Sequence, residues 1–244
     1  MQRMKQSRNI LVIIALTISQ LLFANDLKIH CGNRDVNCNN GNKEHFASVS
    51  DCPYIETDTN HLPKMILDNA RKYLVDRVGG AFSKRLNYYS CQIVDFSKFD
   101  SIVIKKPWIS KDADKRIKYA IQYYFVVQDS MRYYILIVFD KDGHIISNDE
   151  LPSVKQNAQF DKILDVCEAV KVAEQDKVFS GEVETISLEF DKKENCFVWS
   201  IQKPEVRKGK HKVIERYMYL NANTGKLIRR RTETGTIVCE MESF

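Results

Sequence analysis

Four side chains able to ligate a soft metal or form a cross-link recur every seven residues near the start of the chain: Cys31, Cys38, His45 and Cys52. Three thiolates and an imidazole are a donor set that suits tetrahedral zinc. None of the common C-x2-C spacings is present, however, and thiols carried out of the cytoplasm meet an oxidising environment. The favoured reading is a disulfide among Cys31, Cys38 and Cys52, with zinc as its rival. Seven cysteines leave at least one unpaired in a monomer. Cys91 and Cys196 fall in alternating apolar runs and Cys167 on an apolar helical stripe, where cysteine behaves as a small hydrophobe. Cys167 is therefore expected as a reduced core residue. His30, His45, His61, His144 and His211 all stand in polar or turn contexts. No signature of a nucleophilic cysteine surrounds any thiol, and neither a Gly-x-Ser-x-Gly elbow nor a His-Glu-x-x-His helix occurs. Asp140-x-Asp142-Gly143 resembles part of a calcium loop, but such a loop needs further oxygen ligands between two helices. Strand-like flanks make it a hairpin turn instead. No catalytic residue, metal ligand or cofactor is assigned.

The compartment comes from the first 24 residues. Arg3, Lys5 and Arg8 precede the uncharged run Ile10–Ala24, and no acid occurs before Asp26. A basic segment, a short apolar segment and then a small residue mark a secretory signal peptide, here cleaved after Ala24. The run is shorter than the roughly 20 apolar residues of a membrane span. Export to the periplasm or the exterior is expected, with no transmembrane span once the leader is gone. Losing three basic residues and no acid takes the formal charge from +5 to about +2. That balance gives no case for nucleic acid as partner. Lys203, Arg207, Lys208, Lys210, Lys212 and Arg229–Arg231 make the C-terminal hairpins basic, but Glu205, Glu215 and Glu233 are interspersed. A solvated edge is favoured over an anionic partner.

The elements that hold these residues follow from periodicity. Residues 25–60 are rich in Asn, Asp, Gly and Ser, with no apolar period, and read as a stapled or loose Cys-rich arm. Residues 61–152 read as a first α+β unit. Its helix carries Ile66, Ala70, Tyr73 and Leu74 on one side and stops near Gly79-Gly80. Strands follow over Asn87–Phe96 (Tyr89, Cys91 and Ile93 alternating), Ser101–Ile104, Tyr119–Val127 and Tyr133–Phe139, the last apolar on both faces. Residues 153–244 read as a second unit. Phe160, Ile163, Leu164, Cys167 and Val170 form a helical stripe. Ile186, Leu188 and Phe190, then Phe197, Trp199 and Ile201, alternate at period two, and these faces are expected to pack beneath the helix. A further edge strand is expected over Thr236–Met241. Laying Gly143 on Gly225 superposes Tyr134–Ile146 on Arg216–Ile228, which suggests a duplication.

The helix Phe160–Ala173, the strand Cys196–Ile201 with its Phe197-Val198-Trp199 core, and Tyr217–Ile228 with the turn Asn221-Ala222-Asn223-Thr224-Gly225 come in the order of the PepSY-like family of secreted and periplasmic bacterial modules. The chain resembles that family over about a third of its length. The resemblance implies PepSY-like or cystatin-like α+β architecture for the second half, and with the apparent duplication the expectation is two tandem helix-plus-antiparallel-sheet units. It implies no catalytic set to carry over, but rather binding, and in some members restraint of peptidases.

The expected function is an exported, non-enzymatic binding module, inhibitory toward a peptidase or another envelope protein, that uses a sheet face or its loops. The alternative is a small exported hydrolase or thiol enzyme whose site is assembled from distant residues. An exposed aromatic sheet face favours the first; a cleft converging on Cys or His favours the second.

Overall fold

The structure is a computed structural model that describes residues 27–41, 54–95, 117–179, 181–204, 206–208 and 212–236. The leader, His45, Cys52, the Ser101–Ile104 strand, Trp108, His211 and nearly all of the Thr236–Met241 strand lie outside the described residues.

In chain order come β1 (Leu27–Cys31), β2 (Arg34–Asn39), β3 (Tyr54–Thr57), α1 (Lys64–Ser83), β4 (Asn87–Val94), β5 (Tyr119–Gln128), β6 (Met131–Phe139), α2 (Val166–Gln175), β7 (Thr185–Asp191), β8 (Cys196–Gln202), β9 (Val206–Lys208), β10 (Lys212–Asn221) and β11 (Leu227–Thr236). A seven-stranded sheet runs β1-β2-β7-β8-β10-β11, with β9 also on β10, and a four-stranded sheet runs β3-β4-β5-β6. This overturns the expectation of two tandem helix-plus-antiparallel-sheet units. The larger sheet is mixed, because β2 lies parallel to β7 through Asn37↔Thr185 and Asn39↔Ser187. The Cys-rich segment supplies two of its strands. Ile29, Val36 and Cys38 are buried, so the segment does bury an apolar face. Each strand shows too few such residues, between Asn and Asp, for alternation to stand out.

The two sheets are joined at Gly41, just beyond β2. Its N–H donates to Arg132 O and its carbonyl accepts from Tyr134 N, each at 3.0 Å. Asn40 Oδ1 accepts from Arg132 N beside it, at 2.8 Å. On the opposite side, a Cβ at Gly41 would stand 2.0 Å from Leu188 O of β7. No side chain fits between two backbones at that approach. Gly41→Ala is expected to destabilise the protein by about 1–3 kcal/mol as β6 and β7 are forced apart. Chemical denaturation reads this, and an unchanged midpoint would show that the strands part without cost.

One buried cluster runs through both halves. Residues Ile66, Ala70, Leu74, Val78 and Phe82 line the inner side of α1 at four-residue intervals. The helix does not stop near Gly79-Gly80: Gly79 has φ +79° and kinks it, and the last turn continues to Ser83. That turn delivers Phe82 to Phe125 and Phe160, with ring centroids 5.2 and 4.9 Å apart. Phe197 closes the group against Phe125, Tyr133 and Phe160. These aromatics come from both sheets, so the halves share one core. The proposed superposition of the halves also breaks down past its glycines. β10 and β11, ten residues each, pair at nine positions, whereas β6 is followed by the single bridge Phe139↔Ile145.

Candidate binding surface

The second half organises α2, though not as its apolar spacing predicts. The helix begins at Val166, where Asp165 caps it by accepting from Cys167 N at 2.7 Å. Residues 160–165 are apolar because they pack, not because they are helical. Phe160 is buried in a turn, Ile163 lies half-buried against the core, and Leu164 N donates to Ala222 O. Asn223 Nδ2 reaches back to the carbonyls of Lys162 and Gln159. Gly225 (φ +67°) lets the turn pass under Leu164, so the Asn221–Gly225 turn clamps the approach to the helix. Val166, Ala169, Val170 and Ala173 form the buried stripe. Beneath them Phe197, Trp199 and Ile201 are fully buried on β8.

Cys167 is not a reduced core residue. It forms a disulfide with Cys31, 136 residues away, and fastens α2 to β1. The expected bond within Cys31, Cys38 and Cys52 is corrected to that extent: Cys31 is committed elsewhere and Cys38 is a buried free thiol. A zinc set that includes Cys31 is thereby lost.

The chemistry-bearing side chains are held in structural roles. Burial pushes the Cys38 thiol up to about 12 and the Cys196 thiol up to about 11, the latter helped by Asp191 and Glu194. The Cys91 thiol, also buried, donates to Thr57 O. Thiols so placed are poor nucleophiles. His30, His61 and His144 are exposed, and each faces an aspartate, namely Asp35, Asp58 and Asp140. Asp140, Asp142 and His144 do converge. Yet Asp140 Oδ1 already accepts the N–H groups of Asp142 and His144, each at 2.9 Å, closing the turn. The basic strand β11 is largely neutralised: Arg229 pairs with Asp191, Arg230 with Asp176 and Arg231 with Glu233. Burial would raise the Asp191 carboxyl, but the Arg229 guanidinium and the N–H groups of Glu194 and Lys193 outweigh it and hold it below the usual range.

The surface that stands out was not singled out from the sequence. Three tyrosine doublets, Tyr88-Tyr89, Tyr123-Tyr124 and Tyr133-Tyr134, occupy adjacent strands β4, β5 and β6. A doublet in a strand sends one ring to each face. On β4 this needs a bulge: Tyr88 pairs with Tyr123 and Ser90 with Gln122, which leaves Tyr89 as the extra residue. Tyr89 therefore joins Tyr124 and Tyr134 on the outer face, at 6.2 and 5.0 Å between centroids. Arg132 caps Tyr124 at 4.6 Å. Tyr134 is buried, whereas Tyr89 is 44% and Val126 44% exposed. The doublets were the available signal, overlooked because the first two fall in alternating runs and the third in a run apolar on both faces.

On the inner face, Tyr88 and Tyr123 pack edge-to-face at 6.5 Å. They form one wall of a groove of about 550 Å³ beside α1, whose side is built by Leu67, Arg71, Leu74 and Val75. Burial pushes the Tyr123 phenol up, and the Arg71 guanidinium works against it.

Set against family models, curated proteins and solved structures, the chain finds no match. Among the described residues, no helix is long and apolar enough to cross a membrane.

Proposed function

We propose that the protein is an exported binding module that docks a protein partner of the cell envelope on the outer face of β4, β5 and β6. The observation that carries this reading is the cluster of exposed Tyr89 and Val126 with half-buried Tyr124 and Arg132 on a rigid sheet. Tyrosine and arginine are the side chains that most often dominate protein interfaces, because each buries a large area and keeps a polar end. Here the rings hold one another in place, so little side-chain freedom is lost on docking. Export is supported by the Cys31–Cys167 disulfide, since such bonds persist in oxidising compartments. The described thiols are buried and the described histidines stand apart on the surface against carboxylates, which gives the thiol-enzyme alternative no support.

The mature chain, crosslinked in its native envelope fraction, is expected to retain a defined protein. Tyr89→Ala and Arg132→Ala are expected to weaken that complex at least ten-fold while leaving the melting temperature within a degree or two. A complex that survives both substitutions at full strength would place the docking surface elsewhere.

A further inference from the structure

The inner groove has a composition unlike that of the outer patch. Its body is apolar, formed by Leu67, Leu74, Val75 and Leu86 against the rings of Tyr88 and Tyr123. Among the described residues, its charged lining residues are Arg71 and Lys84, and no carboxylate lines it. Both cations are exposed, and neither has an ion pair among the described residues. The Arg71 guanidinium lies close enough to the Tyr123 phenol to act on it, which places one cation at the aromatic wall.

An occupant must match apolar walls and two unpaired cations. A peptide backbone would bring N–H and C=O groups that need partners inside the groove. Thr59, Ser83 and the phenols of Tyr88 and Tyr123 are the uncharged hydrogen-bonding side chains among the described lining residues, too few for the paired groups of an extended peptide. An alkyl chain has no such demand, and a carboxylate head would meet the cations in charge-assisted contacts. A volume of about 550 Å³ falls within the range of small-molecule sites, roughly 300–1,000 Å³.

We propose that this groove binds a free single-chain fatty acid, with the alkyl chain along α1 and against Tyr88 and Tyr123, and the carboxylate on Arg71 at the aromatic wall, while Lys84 adds positive charge farther along the lining. The site is independent of the outer face, on which the protein partner was placed.

Isothermal titration of the full mature chain with dodecanoate, kept below its micelle concentration, tests the assignment. Saturable one-to-one binding is expected. Arg71→Gln/Lys84→Gln should weaken dodecanoate at least ten-fold while leaving dodecanol binding unchanged. Val75→Glu, which sets a carboxylate on the exposed rim, should abolish dodecanoate binding. Tyr89→Ala should leave it intact, so that loss of the partner and loss of this ligand are told apart. No saturable binding by the wild type would overturn the proposal. So would dodecanol binding as tightly as dodecanoate with the double variant unaffected, or binding confined to anionic phospholipid vesicles with none to monomeric dodecanoate.

Discussion

Replacing the cross-linked pair, as Cys31→Ser/Cys167→Ser, is expected to lower the unfolding free energy by about 3–5 kcal/mol. The bond spans 136 residues, and the chain-entropy model gives about 5 kcal/mol for a loop of that length, with measured values usually somewhat lower. The cost should fall unevenly. β1 lies at the sheet edge, and the hairpin it forms with β2 joins the rest of the sheet through three parallel partners on β7. Without the disulfide that hairpin should exchange its amide hydrogens before the core does. Denaturant titration with and without reductant measures the first effect, and hydrogen exchange over Leu27–Asn39 the second. Coincident curves for oxidised and reduced protein would mean that the bond does not constrain the unfolded chain.

Trp199→Ala should cost about 3–5 kcal/mol. Trp199 is fully buried on β8, between Phe197 and Ile201 and under α2. A tryptophan buries up to roughly 250 Å², and the loss leaves a cavity that neighbouring sheet and helix cannot close. Its Nε1 is buried without a hydrogen-bond acceptor among the described residues, a state that costs on the order of 1–3 kcal/mol. Trp199→Phe should therefore be much milder than lost volume alone implies, because it also removes that unpaired donor. Unfolding curves of the two variants decide the matter. A change below about 1 kcal/mol for Trp199→Ala is what a surface tryptophan would give. Emission from Trp199 in a Trp108→Phe background should be blue-shifted until the protein unfolds.

What was legible in the sequence was local. The alternation of Ile186, Leu188 and Phe190, and of Phe197, Trp199 and Ile201, was clear because that face joins the shared core, under α2 and the aromatics of the smaller sheet, and each inward position had to be apolar. The start of α2 was misread because Phe160, Ile163 and Leu164 meet other demands. One fills the aromatic junction, and the others carry the approach held by the Asn223 side chain. β1 and β2 escaped notice because burial of Ile29, Val36 and Cys38 leaves Asn and Asp between them free to face outward. The partner of Cys31 could not be read at all, since nothing local connects positions 136 residues apart. The tyrosine face depends on a single extra residue in β4, and a bulge changes which side a ring takes without changing composition.

The parallel pairing of β2 with β7 also sets an order of events. A chain made from its N-terminus releases β2 long before Thr185–Ser187 exist to receive it. Loop closure over such a distance is slow, and unpaired strand edges invite wrong partners while they wait. The first hairpin must therefore wait for β7 before it docks. Gly41 then slides between β6 and β7, and Cys31 can meet Cys167 only after about two-thirds of the chain has emerged. A truncated chain that ends between α2 and β7 would keep both cysteines of that pair yet lack the strand that receives β2, so its hairpin could be cross-linked to α2 without being paired into the sheet.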